Sequence, residues 1–356
     1  MPPVLDFAPA PLAQPDDTRR AVEIWGSPIE QSVWSRLMRH VLPRINLPHH
    51  VASPVDCPDI EAEGSPWREA KERPEYLGAC FTMPCKLQAL RQSDALDAAG
   101  EATGSANTIY LRPAPPGLTS ESPALAAAGL VQVGSNTDAP AVTNILLSAL
   151  LSTPTPFPAN APRFFAPGQA AALAIGGGGA VRAVLHALHA NLGCSRILLL
   201  NRDRLEAQAV IDQFPKLDIR FVDSVERAEK EMQELEGKGM RLAVGIGAIP
   251  CEEPQTEGEK TLYAAAEKLF EWKYQRMEGK EQTGLLKLPE KPIFLDMAYK
   301  PRFTLLRQSA EKHGWVSLCG DSAVLEVVFE QIKLWTSIDV PRDVRDSARE
   351  LLRSLQ

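Results

Sequence analysis

No stretch of this chain approaches the roughly 20 consecutive apolar residues that a bilayer span needs. The longest nearly apolar run, Ile145 to Leu151, is far shorter, so no membrane partner is expected. Cysteine is scarce and scattered: six in 356 residues, at Cys57, Cys80, Cys85, Cys194, Cys251 and Cys319, with no CxxC pair and no Cys/His set at zinc spacing. Neither a disulfide framework nor a structural metal is indicated, and a reduced, intracellular protein is expected. Positive charge is in deficit, 38 Lys+Arg against 45 Asp+Glu for a net charge of −7. That balance argues against a nucleic acid or an anionic membrane as the main ligand and leaves a small molecule or a protein. The N-terminal MPPVLDFAPAPLAQPDD is Pro-rich and acidic and lacks the basic start and apolar stretch of a secretion signal. A cytoplasmic location is the expectation.

What is present is enough apolar residue, 44% against 23% charged, to bury a full core, and a length more natural to two domains than to one. No internal repeat is found. Strand-like Ala21 to Trp25 ends in the cluster Gly26-Ser27-Pro28 and is followed by a helix from about Ser32 to Leu42. Tyr76 to Thr82 reads as a strand, and Pro84-Cys85-Lys86 opens a helix expected to run through Leu96. Strands at Thr108 to Leu111 and Gly129 to Val133 flank a Pro/Ser-rich loop at 113–124, and a helix covers about Ala139 to Leu151. This alternation predicts an α/β layer arrangement. A Pro-rich stretch, Thr153 to Gly168, marks the neighbourhood of a domain boundary.

Beyond it lies the most legible unit: apolar strand Ala171 to Ile175, glycine turn Gly176-Gly177-Gly178-Gly179, helix Ala180 to Leu192, and strand Arg196 to Leu200. A glycine turn between a strand and a helix lets backbone approach a pyrophosphate, and the helix N-terminus offers free N–H groups and a positive dipole end. The spacing is GxGG where GxGxxG is usual, but it stands in the βαβ context the motif requires. At the end of the second strand an acidic residue suits the ribose of NAD and an arginine the extra phosphate of NADP. Asn201-Arg202-Asp203-Arg204 offers both, so NAD or NADP stays open. Strands Arg220 to Val222 and Leu242 to Ile246 follow, with Lys230 to Glu236 helical between them. The charged segment Glu252 to Lys291 reads as a solvated face with a surface helix near Leu262 to Trp272, a reading that leaves little weight for an interaction module. A strand at Ile293 to Leu295, a helix after Thr304, and amphipathic helices at Ala323 to Thr336 and Arg342 to Leu355 close the chain.

Several segments, in order, resemble the signatures of the shikimate/quinate dehydrogenase family. They are Gly26-Ser27-Pro28-Ile29 with Ser32, Gly78 to Lys86, Gly104-Ser105-Ala106-Asn107-Thr108, and Asn136-Thr137-Asp138. They continue through Gly176-Gly177-Gly178-Gly179-Ala180, Asn201-Arg202-Asp203, Asp296-Met297-Ala298-Tyr299-Lys300-Pro301, and Gly320 with Glu330-Gln331 and Leu334-Trp335-Thr336. Thr82-Met83-Pro84 and Asn201-Arg202-Asp203 look most like the fungal quinate/shikimate branch. The resemblance covers nearly the whole chain.

It implies an α/β substrate-binding domain at 1–138, joined by C-terminal helices at 320–356, and a doubly wound, Rossmann-type NAD(P)-binding domain at 139–319. It further implies hydride transfer between a nicotinamide and a ring carbon of shikimate, quinate or a related cyclic hydroxy acid. Lys86 and Asp138 would be the catalytic pair, with Ser32, Thr82, Asn107 and Tyr299 on the substrate. Gly176, Gly177, Gly178, Gly179, Ala180, Asn201, Arg202, Asp203 and Gly320 would hold the cofactor. Read singly, Lys86 is a solvated lysine at a helix start and Asp138 a helix cap; only their joint pattern makes them a proton-transfer pair.

Departures from the family pattern accompany the match. Trp34 stands at the family's second hydroxyl position, Cys80 at an Asn, Ala139 at a Gly and Val327-Val328 at a late Gln-Gly. Gly247 and Ile249 replace parts of Asn-Ala-Thr-Pro. Altered polar recognition groups change which analogues a site accepts, so a dehydrogenase-like sensor of the quinate-repressor type is the alternative function. The sequence leaves monomer or homodimer undecided.

Overall fold

A computed structural model describes residues 1–6, 19–30, 32–47, 51–151, 164–272 and 289–355. Most of the Pro-rich 153–168 stretch, and part of the charged 252–291 segment, lie outside the described residues. The chain divides into two compact units, Met1–Ala141 with Val324–Gln356, and Val142–Ala323.

The first unit contains β1 (Ala21–Gly26), α1 (Trp34–Arg44), β2 (Val51–Asp56), α2 (Trp67–Ala70), β3 (Tyr76–Phe81), α3 (Lys86–Arg91) and β4 (Ala95–Leu96). It continues with α4 (Ala98–Thr103), β5 (Thr108–Pro113), α5 (Pro123–Ala127), β6 (Leu130–Ser135) and the start of α6 (Asp138–Leu151). The six strands form a mixed sheet in the order β2-β1-β3-β5-β6-β4. β1 and β3 run parallel, and β5 is antiparallel to both β3 and β6. The C-terminal ends of β1, β3 and β6 and the N-terminal end of β5 therefore share one edge. On one face, Trp67 is fully buried with Trp25, Tyr76 and Phe81 packed edge-on at ring distances of 5.4, 6.0 and 5.2 Å. Such pairs contribute about 0.5–1.5 kcal/mol each beyond area burial. In α1 the buried side chains Trp34, Leu37, Met38, Val41 and Leu42 fall at the i, i+3, i+4, i+7, i+8 spacing of one helical face.

The second unit holds β7 (Ala170–Ile175), α7 (Gly179–His186), β8 (Arg196–Leu200), α8 (Arg204–Gln213), β9 (Ile219–Val222), α9 (Val225–Gly237) and β10 (Arg241–Gly247). After these come α10 (Glu257–Glu271), β11 (Ile293–Asp296), α11 (Leu305–Lys312), β12 (Val316–Cys319) and the first residues of α12 (Asp321–Thr336). The rest of α12 and α13 (Arg342–Ser354) belong to the first unit. The second sheet is all parallel in the order β12-β11-β10-β7-β8-β9. Because side chains alternate along a strand, Ala170, Ala172 and Ala174 face one core with Val181, Val184 and Leu185 of α7. Ala171, Leu173 and Ile175 face the other, with Met232 and Leu235 of α9 and Leu269 and Phe270 of α10. Burial on both faces explains why these strands read as continuous apolar runs. Winding in both directions from β7 places the reversal of strand order between β7 and β10, where doubly wound sheets bind ligands.

Several sequence expectations are corrected. The helix opened by Lys86 ends at Arg91, and Ala95–Leu96 is a short strand paired with β6. The 113–124 loop holds through Ser122 and is cut short at its end by α5, capped by the Ser122 hydroxyl on the Leu125 N–H. The helix after the glycine turn closes at His186 and is followed by a π-helical turn, Ala187–Asn191. The helix expected on the surface near 262–272 starts at Glu257 and buries Leu262, Ala265, Ala266, Leu269 and Phe270. β2, at a sheet edge with Pro54 in it, carries no strand signature because proline lacks the ladder donor.

Candidate functional site

In the first unit the shared sheet edge gathers polar residues from distant segments. Lys86 is the first residue of α3 and Asp138 the first of α6. The Lys86 Nζ donates to Asp138 Oδ2 at 2.5 Å, with side chains 14% and 6% exposed. The backbone holds this pairing: Ala106 N–H donates to the Lys86 carbonyl, and Asp138 N–H to Asn136 Oδ1. Asn136 is anchored in turn on Ser105. Asn107 lies beside them, its side-chain oxygen accepting from Thr137 N–H at 2.8 Å and from the Thr108 and Thr137 hydroxyls at 2.8 and 3.0 Å. With that oxygen engaged, the NH2 group is what Asn107 has to offer a ligand. Thr82 sits half-buried just past β3, its N–H on the Trp25 carbonyl. Gly26 must be small there, since a Cβ would lie 2.3 Å from Thr82 Cγ2.

Ser32 is half-buried before α1, its hydroxyl accepting the Trp34 N–H at 3.3 Å. Trp34 itself turns inward and is 2% exposed. Its indole Nε1 donates to Gln331 Oε1 at 2.7 Å, and Gln331 Nε2 donates to the Thr108 hydroxyl at 2.9 Å. The indole donor is thereby spent on the protein and does not replace the hydroxyl that the family pattern has at this position. Gln331, which the sequence offers only as part of a family-like segment and with no assigned role, ties α12 to the Asn107 neighbourhood. Cys80 is buried in the same cluster, and burial pushes its thiol up to about 12.

In the second unit the glycine turn follows β7. Gly176 N–H donates to Leu200 O, and Ala248 N–H to Ile175 O, which knits the ends of β7, β8 and β10. Gly176 has φ +125° and passes so close to Ala248 O that a Cβ would sit 2.9 Å from it. A Cβ on Gly177 would be 2.3 Å from Asn201 Nδ2 and 2.5 Å from Glu206 Oε2. Gly178, exposed, caps α7 without any side-chain bond to the helix N-terminus. Arg182 steadies the turn from behind, donating to the Gly177 and Gly178 carbonyls at 3.0 and 3.2 Å. Gly179 and Ala180 form the first turn of the helix. Open backbone at Gly178, a helix N-terminus and the reversal of strand order fit a dinucleotide pyrophosphate.

At the end of β8, Asn201 Nδ2 donates to Glu206 Oε2 at 2.8 Å. Asp203 caps α8 with one carboxylate oxygen, Oδ1, which accepts the Leu205 and Glu206 N–H groups. Arg202 is ion-paired with Glu259 of α10. Neither Glu206 nor Glu259 was singled out from sequence, although both had a signal, standing three residues past Asp203 and Thr256 in capping-box spacing. Gly320 lies where a Cβ would meet Met297 O at 2.2 Å, so its place reflects tight backbone packing against the strand end at Asp296. Tyr299 is half-buried in the segment after β11. The structure thus brings Lys86, Asp138, Thr82 and Asn107 to one edge of the first unit. Gly176 to Ala180, Asn201, Arg202 and Asp203 gather in the second. No group of metal-ligating side chains occurs among the described residues.

No protein-family model matches the chain. A curated relative, the pentafunctional AROM polypeptide 1 of Lodderomyces elongisporus, is 26% identical over 329 residues, 92% of this chain and 18% of its own length. Among solved structures, the dehydroquinate dehydratase and shikimate dehydrogenase of S. pombe AroM matches with a TM-score of 0.64 and 24% identity, over 94% of this chain and 53% of that one. Mycobacterium tuberculosis shikimate dehydrogenase matches with a TM-score of 0.61 and 20% identity, over 95% and 100%. The Listeria monocytogenes shikimate 5-dehydrogenase, solved with shikimate and NAD, matches with a TM-score of 0.63 and 17% identity, over 94% and 96%. This chain thus spans under a fifth of the curated relative and about half of the S. pombe chain. The fold of this protein is the two-domain fold of the shikimate dehydrogenases.

Proposed function

We propose that the chain is an NAD(P)-dependent oxidoreductase of the shikimate dehydrogenase family, acting on shikimate, quinate or a related cyclic hydroxy acid. The observation that carries this reading is the close, largely buried contact of Lys86 with Asp138 at the convergent strand ends. Oxidising a ring alcohol requires its hydroxyl proton to leave, and a lysine and a carboxylate in contact can take up that proton and steady the developing alkoxide. Asp138 orients the amine and Asn107 and Thr82 supply polar groups for ring hydroxyls. Gly177, Gly178 and the start of α7 would hold the pyrophosphate, and the Asn201 to Asp203 corner would meet the adenosine ribose. The nicotinamide, when bound, supplies the hydride chemistry.

A sensor that binds ligand without turnover is favoured by one observation: Trp34 and Val327, two positions of the family's recognition set, are buried at 2% and 9% exposure. Absorbance at 340 nm with shikimate and quinate, each with NAD and NADP, discriminates the two. Turnover with one pair supports the enzyme. Calorimetric binding of nucleotide and ring acid without turnover supports the sensor, and no nucleotide binding overturns both.

A further inference from the structure

The nucleotide corner carries a charge relationship that the dehydrogenase reading leaves unused. Arg202 lies two residues past β8, where an arginine would accommodate the 2′-phosphate of NADP. Its Nη1 donates to Glu259 Oε1. Glu259 is the third residue of α10, and its other oxygen accepts the N–H groups of Gln255 and Thr256, each at 2.9 Å. The Thr256 hydroxyl accepts the Glu259 N–H at 3.2 Å, which completes a capping box. The carboxylate is thus held by backbone as well as by the arginine. Those N–H groups, ahead of Arg202, hold the Glu259 carboxyl down at about 2, so it is an anion at any working pH.

The other charges of the corner point the same way. Arg204 Nη2 donates to Asp223 Oδ2 at 2.8 Å, with its guanidinium 5.3 Å from the Phe221 ring centroid. Asp203 caps α8 through Oδ1 alone and adds a further exposed carboxylate to the corner. Both arginines of the corner therefore carry a carboxylate partner already. A 2′-phosphate brings nearly two negative charges. To use Arg202 it must lie against an anchored carboxylate or pull that carboxylate off the Gln255 and Thr256 N–H groups. An exposed ion pair is worth little by itself, so the discrimination comes from like-charge repulsion and the lost cap. A 2′-hydroxyl meets neither cost.

We infer that Glu259 is a specificity-determining residue that occupies Arg202 as an internal anion and makes the chain prefer NAD to NADP. The inference rests on the dinucleotide-binding reading above. Its test is calorimetric titration of the full chain with NAD+ and with NADP+, for the wild type, Glu259→Gln and Glu259→Gln/Arg202→Ala. Glutamine keeps the shape and the capping oxygen while removing the charge. The expected result is wild-type NAD+ binding at least about fivefold tighter than NADP+, with Glu259→Gln tightening NADP+ about fivefold and leaving NAD+ within about twofold. Adding Arg202→Ala should erase the gain. A wild type that prefers NADP+ overturns the inference, as does an unchanged ratio in Glu259→Gln while NAD+ still binds. Failure of both nucleotides to bind the wild type overturns the dinucleotide reading along with it.

Discussion

Trp34 Nε1 donates to Gln331 Oε1 at 2.7 Å across 297 residues of sequence. The bond joins α1 to α12 within the first unit, and Trp335 stands edge-on to the same indole at 6.1 Å while its own Nε1 donates to Ile109 O. Gly78 makes room for this arrangement: a Cβ there would lie 2.3 Å from Trp335 Nε1.

Because Trp34 is 2% exposed and bonded inward, its replacement should act on stability. Trp34→Phe keeps most of the ring but leaves Gln331 Oε1 unpaired, a cost of about 1–3 kcal/mol. Trp34→Ser should cost more, on the order of 3–5 kcal/mol. Urea unfolding midpoints measure both. A Trp34→Ser protein as stable as the wild type, with new activity on shikimate or quinate, would contradict the structural role.

Lys86→Met should lower kcat by about 10²–10⁴ while leaving the nucleotide Kd unchanged, since the residue lies outside the glycine turn. Asp138→Asn should fall in the same range, and the double variant should be far less than multiplicative because the two act as one unit. Steady-state kinetics with calorimetry would show it, and multiplicative losses would argue for separate roles.

Gly177→Ala tests the second unit. Its methyl would press into Asn201 Nδ2 and Glu206 Oε2, so the turn must shift where the pyrophosphate is expected. Nucleotide affinity should drop by at least about tenfold, roughly 1.4 kcal/mol, with shikimate or quinate affinity preserved. Equal loss for both ligands would mean general unfolding instead, which circular dichroism would reveal.

Asp296, at the end of β11, is buried and its carboxyl is pushed up to about 7 by that burial, against the Thr304 hydroxyl and the Ala298 N–H that favour the anion. The folded protein therefore holds a proton there that the unfolded chain has lost once the pH passes the ordinary carboxylate value of 3.8. Stability contributed by this group falls as pH rises from about 4 to about 7 and stays low above that. Asp296→Asn removes this slope, so its melting temperature relative to wild type should be higher at pH 8 than at pH 5. Thermal melts at the two pH values check it, and a pH-independent difference would remove the buried proton from the account.

Local order decided much of what the sequence could show. The glycine turn, the uninterrupted apolar strands beside it and the face spacing of α1 are set by backbone sterics and helical or strand period, which act over a few residues. Lys86 and Asp138 were legible through their motifs, each at the start of a helix. The tertiary structure alone decided what those residues meet. Whether Trp34 opens into a site or closes on Gln331 and whether Arg202 is free or held by Glu259 both depend on partners brought together by the fold, whereas the capping of α8 by Asp203 is a local contact within three residues. Proline in β2 and the mixed charge of α10 hid an edge strand and a core helix, because pairing and burial outweigh local propensity once the neighbouring elements are in place.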